Sequence, residues 1–242
     1  KKTHPAERQD GKTGELSFGY QGALNAWLKF DNSGRHTDER IIEICKAWRA
    51  EHPAVVALWK GLEAAALSAV YSDQDAATGK GKEFTYRQIA YQRIDAWLAC
   101  TLPDGKRIWY YDPQIRMGMP SWHQPDLSEE CAAGDCRCKP VPKITYMAMK
   151  EGQWRRVTTY GGKLTENVTQ ATSRQILVPI IKRVERHGYP IILTVYDEVV
   201  TEPDIGFGSM HEFEELMVEC PGPWAAGWPI KVDAWEGDRY KK

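Results

Sequence analysis

Pro190-Ile191-Ile192-Leu193-Thr194-Val195-Tyr196-Asp197-Glu198-Val199-Val200-Thr201 is the stretch on which the reading of this chain turns. Apolar and β-branched residues on both sides predict a β-hairpin over 190–202, with Tyr196-Asp197-Glu198 as its turn. Asp is a common turn residue, so one acid here needs no function. The apolar flanks, however, predict a buried hairpin. A carboxylate carried by a buried hairpin is costly unless it is paired or bound to a metal. Asp197, with Glu198 beside it, is therefore a candidate metal ligand.

The rest of the chain can support a fold around that hairpin. Of its 242 residues 42% are hydrophobic and 27% charged, enough to bury a real core. The net charge of −1 argues against a free-standing basic nucleic-acid binder. It leaves room for cations confined to one cleft, and local clusters stand at Arg155–Arg156 and Lys182–Arg183. Ten tryptophans and eleven tyrosines serve either a large core or a surface on which bases stack. No run of about 18 apolar residues predicts a membrane span. The start, Lys1-Lys2-Thr3-His4-Pro5, has no apolar stretch of a signal peptide.

The six cysteines lack the spacing of a disulfide framework, which points to a reducing cytoplasm. Cys131, Cys136 and Cys138 are compatible with a zinc site completed by His123 or a distant Cys, or with a loop of free thiols.

Order along the chain predicts an α+β fold: helices first, then mixed strands and helices. Residues 7–29 read as helical despite glycines at 11, 14, 19 and 22, which suggests close approach of a ligand. Thr37 with Asp38 and Glu39 starts a helix, and a second follows Pro53 to about Tyr71. Residues 73–82 read as a loop. A hairpin is expected over 94–111, turning at Pro103-Asp104-Gly105, with an irregular Pro- and Cys-rich excursion over 112–143. Strands follow at about 144–149 and 154–159. A helix over 164–186 is expected to kink at Pro179 and stop at Gly188. Ser209 and Glu212 predict a capping box.

In the first helix, Arg8 and Lys12 stand one turn apart on one face, and Leu16 and Tyr20 continue that face. Cations along an edge with a flat group beyond suit a nucleoside triphosphate. A solvated basic face is the alternative.

Leu193–Val200 resembles motif C of the family A DNA polymerases, the DNA polymerase I family, with Tyr196 where that family usually has His. Arg8, Lys12 and Tyr20-Gln21-Gly22 resemble its motif B, in a form similar to the phage branch. Leu102–Arg107, Tyr160–Gln170 and the tail Trp235–Lys242 extend the likeness over nearly the whole chain.

The resemblance implies a DNA-directed DNA polymerase, a nucleotidyltransferase acting in replication by a two-metal mechanism. It implies a helical fingers subdomain in 1–95, strand hairpins with a Cys/Pro-rich insert in 96–160, and in 161–242 part of an antiparallel palm sheet with flanking helices. Asp197 would bind Mg2+, and Asp197, Glu198 and Lys12 would be catalytic. Arg8, Lys12, Leu16 and Tyr20 would bind the dNTP. Tyr196, Asn167 and Gln170 would meet primer–template DNA. Leu16 stands where the family often has Phe or Tyr.

The family's other carboxylate strand, motif A, precedes motif B and is not found in these residues. The chain is therefore expected to be a C-terminal fragment or subunit, inactive alone. Motif A and the thumb would come from an upstream segment or a complementary chain, in the cytoplasm of the host cell if phage-encoded. A non-catalytic DNA-binding accessory subunit or polymerase remnant is the alternative reading.

Overall fold

The computed structural model describes residues 4–120 and 138–240. Helix α1 (Pro5–Phe18) begins with Pro at its first position, where a missing N–H costs nothing. It ends earlier than the sequence predicts. A turn at Gly19–Ala23 separates it from α2 (Leu24–Phe30), because Gln21 takes φ +68° and a Cβ at Gly22 would lie 2.0 Å from the Ser17 carbonyl oxygen. Helix α3 (Asp38–Glu51) starts as expected, with the Thr37 side chain accepting from the Arg40 amide. Phe18, Leu24, Trp27, Ile41 and Cys45 form the buried cluster that joins these three helices.

Helix α4 (Pro53–Tyr71) lies against an antiparallel meander of six strands: β1 (Lys80–Tyr86), β2 (Ile89–Ile94), β3 (Trp97–Thr101), β4 (Arg107–Gly118), β5 (Val141–Lys150) and β6 (Gln153–Thr159). The predicted hairpin is β3–β4, with Leu98 opposite Tyr110. Strands β1 and β2 carry no clear alternation and are not legible in the sequence. They begin the sheet at Lys80, inside the expected loop and ahead of residue 95. Strand β4 likewise runs on to Gly118 and β5 starts at Val141, within the stretch expected to be irregular.

By length and composition α4 is apolar enough to cross a membrane. Here its Trp59, Leu62, Ala65, Ala66 and Ala69 are buried, and a Cβ at Gly61 would strike the Tyr86 ring at 2.3 Å. The helix also carries Lys60 and Glu63.

Helix α5 (Gly161–Arg186) contains Pro179, and Gly188 beyond it takes φ +88°. Strands β7 (Ile191–Val195) and β8 (Glu198–Thr201) form a separate two-stranded sheet, followed by α6 (Met210–Val218) and a 3-10 turn at Pro223–Ala225. The described residues divide into two compact units. The first runs up to Val168, and the second from Thr169 and includes the Pro103–Gly105 turn. The second is built around Ile180, Val184, Tyr189 and Met217. The architecture is α+β, as expected.

Candidate nucleotide-contact and metal-ligand residues

In the first unit, α1 divides into two faces. Thr13, Gly14, Ser17 and Phe18 are buried, and Phe18 stacks on Trp27 at 5.6 Å. Arg8, Lys12 and Leu16 lie on the exposed side, with Leu16 half open. Neither Arg8 nor Lys12 has an ion pair among the described residues. Asp10, between them in sequence, is occupied instead by Arg35 at 2.5 Å and His36 at 3.1 Å. Glu15 accepts from the Trp48 indole at 2.9 Å. The acids that would neutralise the basic stripe are thus engaged elsewhere.

Tyr20 is placed differently from the expectation. A helix continued past Phe18 would carry it on the Arg8–Lys12–Leu16 face. The glycines end the helix first, so Tyr20 sits half-buried in the following turn. That turn is held by groups the sequence reading missed. The Trp59 indole donates to the Gly19 carbonyl at 3.0 Å, and Arg49 donates to that of Gly22 at 2.9 Å. The Gln21 side chain accepts from the Gly162 amide at 2.8 Å. A Cβ at Gly161 would lie 2.3 Å from the Trp59 carbonyl oxygen, and one at Gly162 would lie 2.1 Å from that of Tyr20. The Gly161-Gly162 pair was the available signal, since paired glycines mark close backbone approach.

Glu63 was also missed. It accepts from the Gly161 amide at the start of α5, where an anion is favoured. Burial nevertheless holds its carboxyl above the usual range, opposed by that amide and by Lys143. Asn167 donates from Nδ2 to the Tyr110 hydroxyl at 3.0 Å, which fixes its side chain against the sheet. Burial, then the Cys100 thiol, push the Tyr110 phenol up, so it stays protonated. Burial pushes Cys100 itself up to about 12. Gln170 is exposed on α5.

In the second unit, the hairpin forms with Val195 paired to Glu198, so its loop is two residues, Tyr196-Asp197, and Glu198 opens β8. Tyr196 takes φ +56°, a conformation that costs an L-residue about 1–2 kcal/mol. Its ring is 88% exposed. The expectation of a buried hairpin fails: Ile192, Leu193, Tyr196 and Asp197 are exposed, because among the described residues no third strand joins the pair and only Ile191 and Val199 of the hairpin reach the unit's core. Burial therefore gives no argument for a metal at Asp197.

The Asp197 carboxylate has no ion pair among the described residues, and Mg2+ is commonly held by one or two carboxylates with phosphates and waters. Asp197 fits as one such ligand. Glu198 is less available, since its carboxylate accepts from the Tyr240 hydroxyl at 2.5 Å. This bond, followed by burial, pushes the Tyr240 phenol up. No group of three or more metal-binding side chains occurs among the described residues. Cys131, Cys136 and His123 of the expected zinc site lie outside them, and Cys138 is half-buried.

The described residues thus define an α+β chain that presents a basic helix face in one unit and an acid-tipped hairpin in the other. In sequence the chain is similar to a protein named DNA polymerase from Bacillus phage SP02. The two are 33% identical over 238 residues, covering 97% of this chain and 33% of the relative. The chain therefore spans about a third of that relative's length. No family model matches the chain. No solved structure matches it.

Proposed function

We propose that this chain is the fingers and part of the palm of a phage-type, family A DNA-directed DNA polymerase. The observation that carries this reading is the similarity to a phage DNA polymerase along 97% of the chain. The exposed Arg8–Lys12 stripe and the open Asp197 carboxylate agree with it. In this reading Arg8 and Lys12 hold the triphosphate of a dNTP, and Leu16 and Tyr20 border the nucleotide. Lys12 also neutralises charge on the departing pyrophosphate. Tyr196, Asn167 and Gln170 position primer–template DNA. Asp197 is a ligand for Mg2+, with Glu198 adjacent. The two ions of the family's mechanism supply activation of the primer hydroxyl and charge stabilisation on the leaving group. A second carboxylate strand, with the thumb, comes from another segment or chain. The chain alone is then inactive, and its place of work is the host-cell cytoplasm, where DNA and dNTPs are at hand.

Primer extension tests this. The 242-residue chain should give no product alone and should extend a primer when combined with the complementary polymerase segment. Asp197→Ala should abolish extension while DNA binding persists. Arg8→Ala should raise the KM for dNTP. Extension by the isolated chain would refute its dependence on a second segment. DNA binding without extension in every combination would favour the accessory-subunit reading instead.

A further inference from the structure

One face of the six-stranded sheet is buried under α4, through Leu98, Cys100 and Tyr110 among others. Strand alternation puts their sequence neighbours on the other face. Trp97 stands opposite Tyr111, Ala99 opposite Trp109, Tyr111 opposite Met147, and Met149 opposite Trp154. The result is a row of rings crossing β3, β4 and β6. Trp97 meets Tyr111 at 4.7 Å and Trp109 at 6.3 Å, and Tyr111 meets Trp154 at 6.1 Å. These rings are not core. Trp97 is 40% exposed, Trp109 45%, Tyr111 36% and Trp154 54%, with Met149 beside them at 63%.

An apolar row of this size needs an occupant. Charge selects it. Counted over both faces and the turns, residues 97–118 and 141–160 hold seven Lys and Arg against three Asp and Glu, while the whole chain carries −1. The Arg107 guanidinium lies over the Trp109 ring at 5.7 Å. Arg156, opposite Met147 on the ring face, is paired with Asp112, whereas Arg155 alternates to the other face. Flat, open rings interleaved with cations suit a strand of unpaired bases on a phosphate backbone. Each base can stack whatever its sequence, and each phosphate can meet a cation. A protein partner of ordinary composition would not need the cation surplus.

We infer that this sheet face is a stacking platform for single-stranded DNA, built from residues other than the nucleotide and metal candidates above. The choice of DNA over RNA rests on the polymerase reading. The platform itself rests on the rings and charges.

The test is anisotropy of a fluorescein-labelled oligothymidylate of about 15 nucleotides, titrated with the whole chain without Mg2+ or dNTP. Binding is expected to weaken on the order of tenfold in each of Trp109→Ala and Trp154→Ala. Trp109→Phe should retain most of it. Arg107→Ala should reduce the salt slope by roughly 0.7. Circular dichroism of each variant reports folding, and Arg107→Glu on the surface serves if a ring variant does not fold. Unchanged affinity in both ring variants, or tighter binding of duplex than of single strand, would overturn the platform. A chain that self-associates through this face, with dimerisation lost in the ring variants and no change in oligothymidylate affinity, would overturn it too. Tighter binding of oligouridylate would overturn the choice of DNA. The assay needs no catalysis, so the platform can fail while Asp197-dependent extension succeeds, and the reverse.

Discussion

Tyr196 is in a backbone state that glycine or asparagine would occupy more cheaply. Such a residue at a hairpin tip is a pointer to function. Tyr196→Gly should stabilise the chain by about 1 kcal/mol in urea denaturation. In the assembled polymerase it should lower extension. Greater stability with full activity would remove Tyr196 from the primer–template role.

Glu63 carries a pH effect of definite sign. Its carboxyl is raised above the ordinary 4.5, chiefly by burial. The folded chain therefore holds this proton more tightly than the unfolded chain. The contribution is fully present below pH 4.5 and is lost as pH rises through the folded value. A glutamine at this position would keep an acceptor for the Gly161 amide without titrating. Glu63→Gln should thus gain Tm relative to the parent between about pH 4 and pH 7. A Tm difference independent of pH would contradict this assignment.

Among the elements, the turn after α1 separates glycines that are required from one that is not. A Cβ at Gly162 would collide with the Tyr20 carbonyl oxygen, whereas Gly11 has nothing within 4 Å. Gly162→Ala should destabilise by roughly 1–3 kcal/mol, since backbone must move. Gly11→Ala, on the open face of α1, should stabilise by up to about 1 kcal/mol. Equal effects at the two positions in urea denaturation would show that the turn is not clamped as described.

Legibility also varied by element. The 190–202 hairpin, the Thr37 cap and the stop at Gly188 were readable because turn and cap chemistry is local. The end of α1 at Phe18 was not. Arg8, Lys12, Leu16 and Tyr20 keep helical spacing in sequence, and only the long-range clamps from Trp59, Arg49 and Gly162 show where the helix stops. Strand β1 was missed for a related reason: Lys80–Tyr86 is mostly exposed, so packing of its neighbours, not its own pattern, makes it a strand.

At the scale of the whole molecule, the two units have separate buried clusters. Leu62 and Val184 are fully buried, one in each. Leu62→Ala should cost about 2–5 kcal/mol in the first unit and Val184→Ala a smaller amount in the second. Urea unfolding followed by residue-resolved hydrogen exchange should show each variant lowering protection chiefly in its own unit. Uniform loss across all 242 residues would mean that the chain unfolds as one cooperative block. The candidate residues were found in sequence by type and order. The exposed state of the hairpin was not foreseeable there, because it depends on how many strands join a sheet.

The division of α1 into an anchored side and a bare side has an evolutionary meaning. Asp10, Glu15, Phe18 and the glycine turn do the work of folding. Arg8, Lys12 and Leu16 share none of it among the described residues. Drift at those three outward positions would leave the fold intact, so whatever keeps or changes their chemistry is selection on what the helix touches. The outward face can be rewritten without the scaffold having to change.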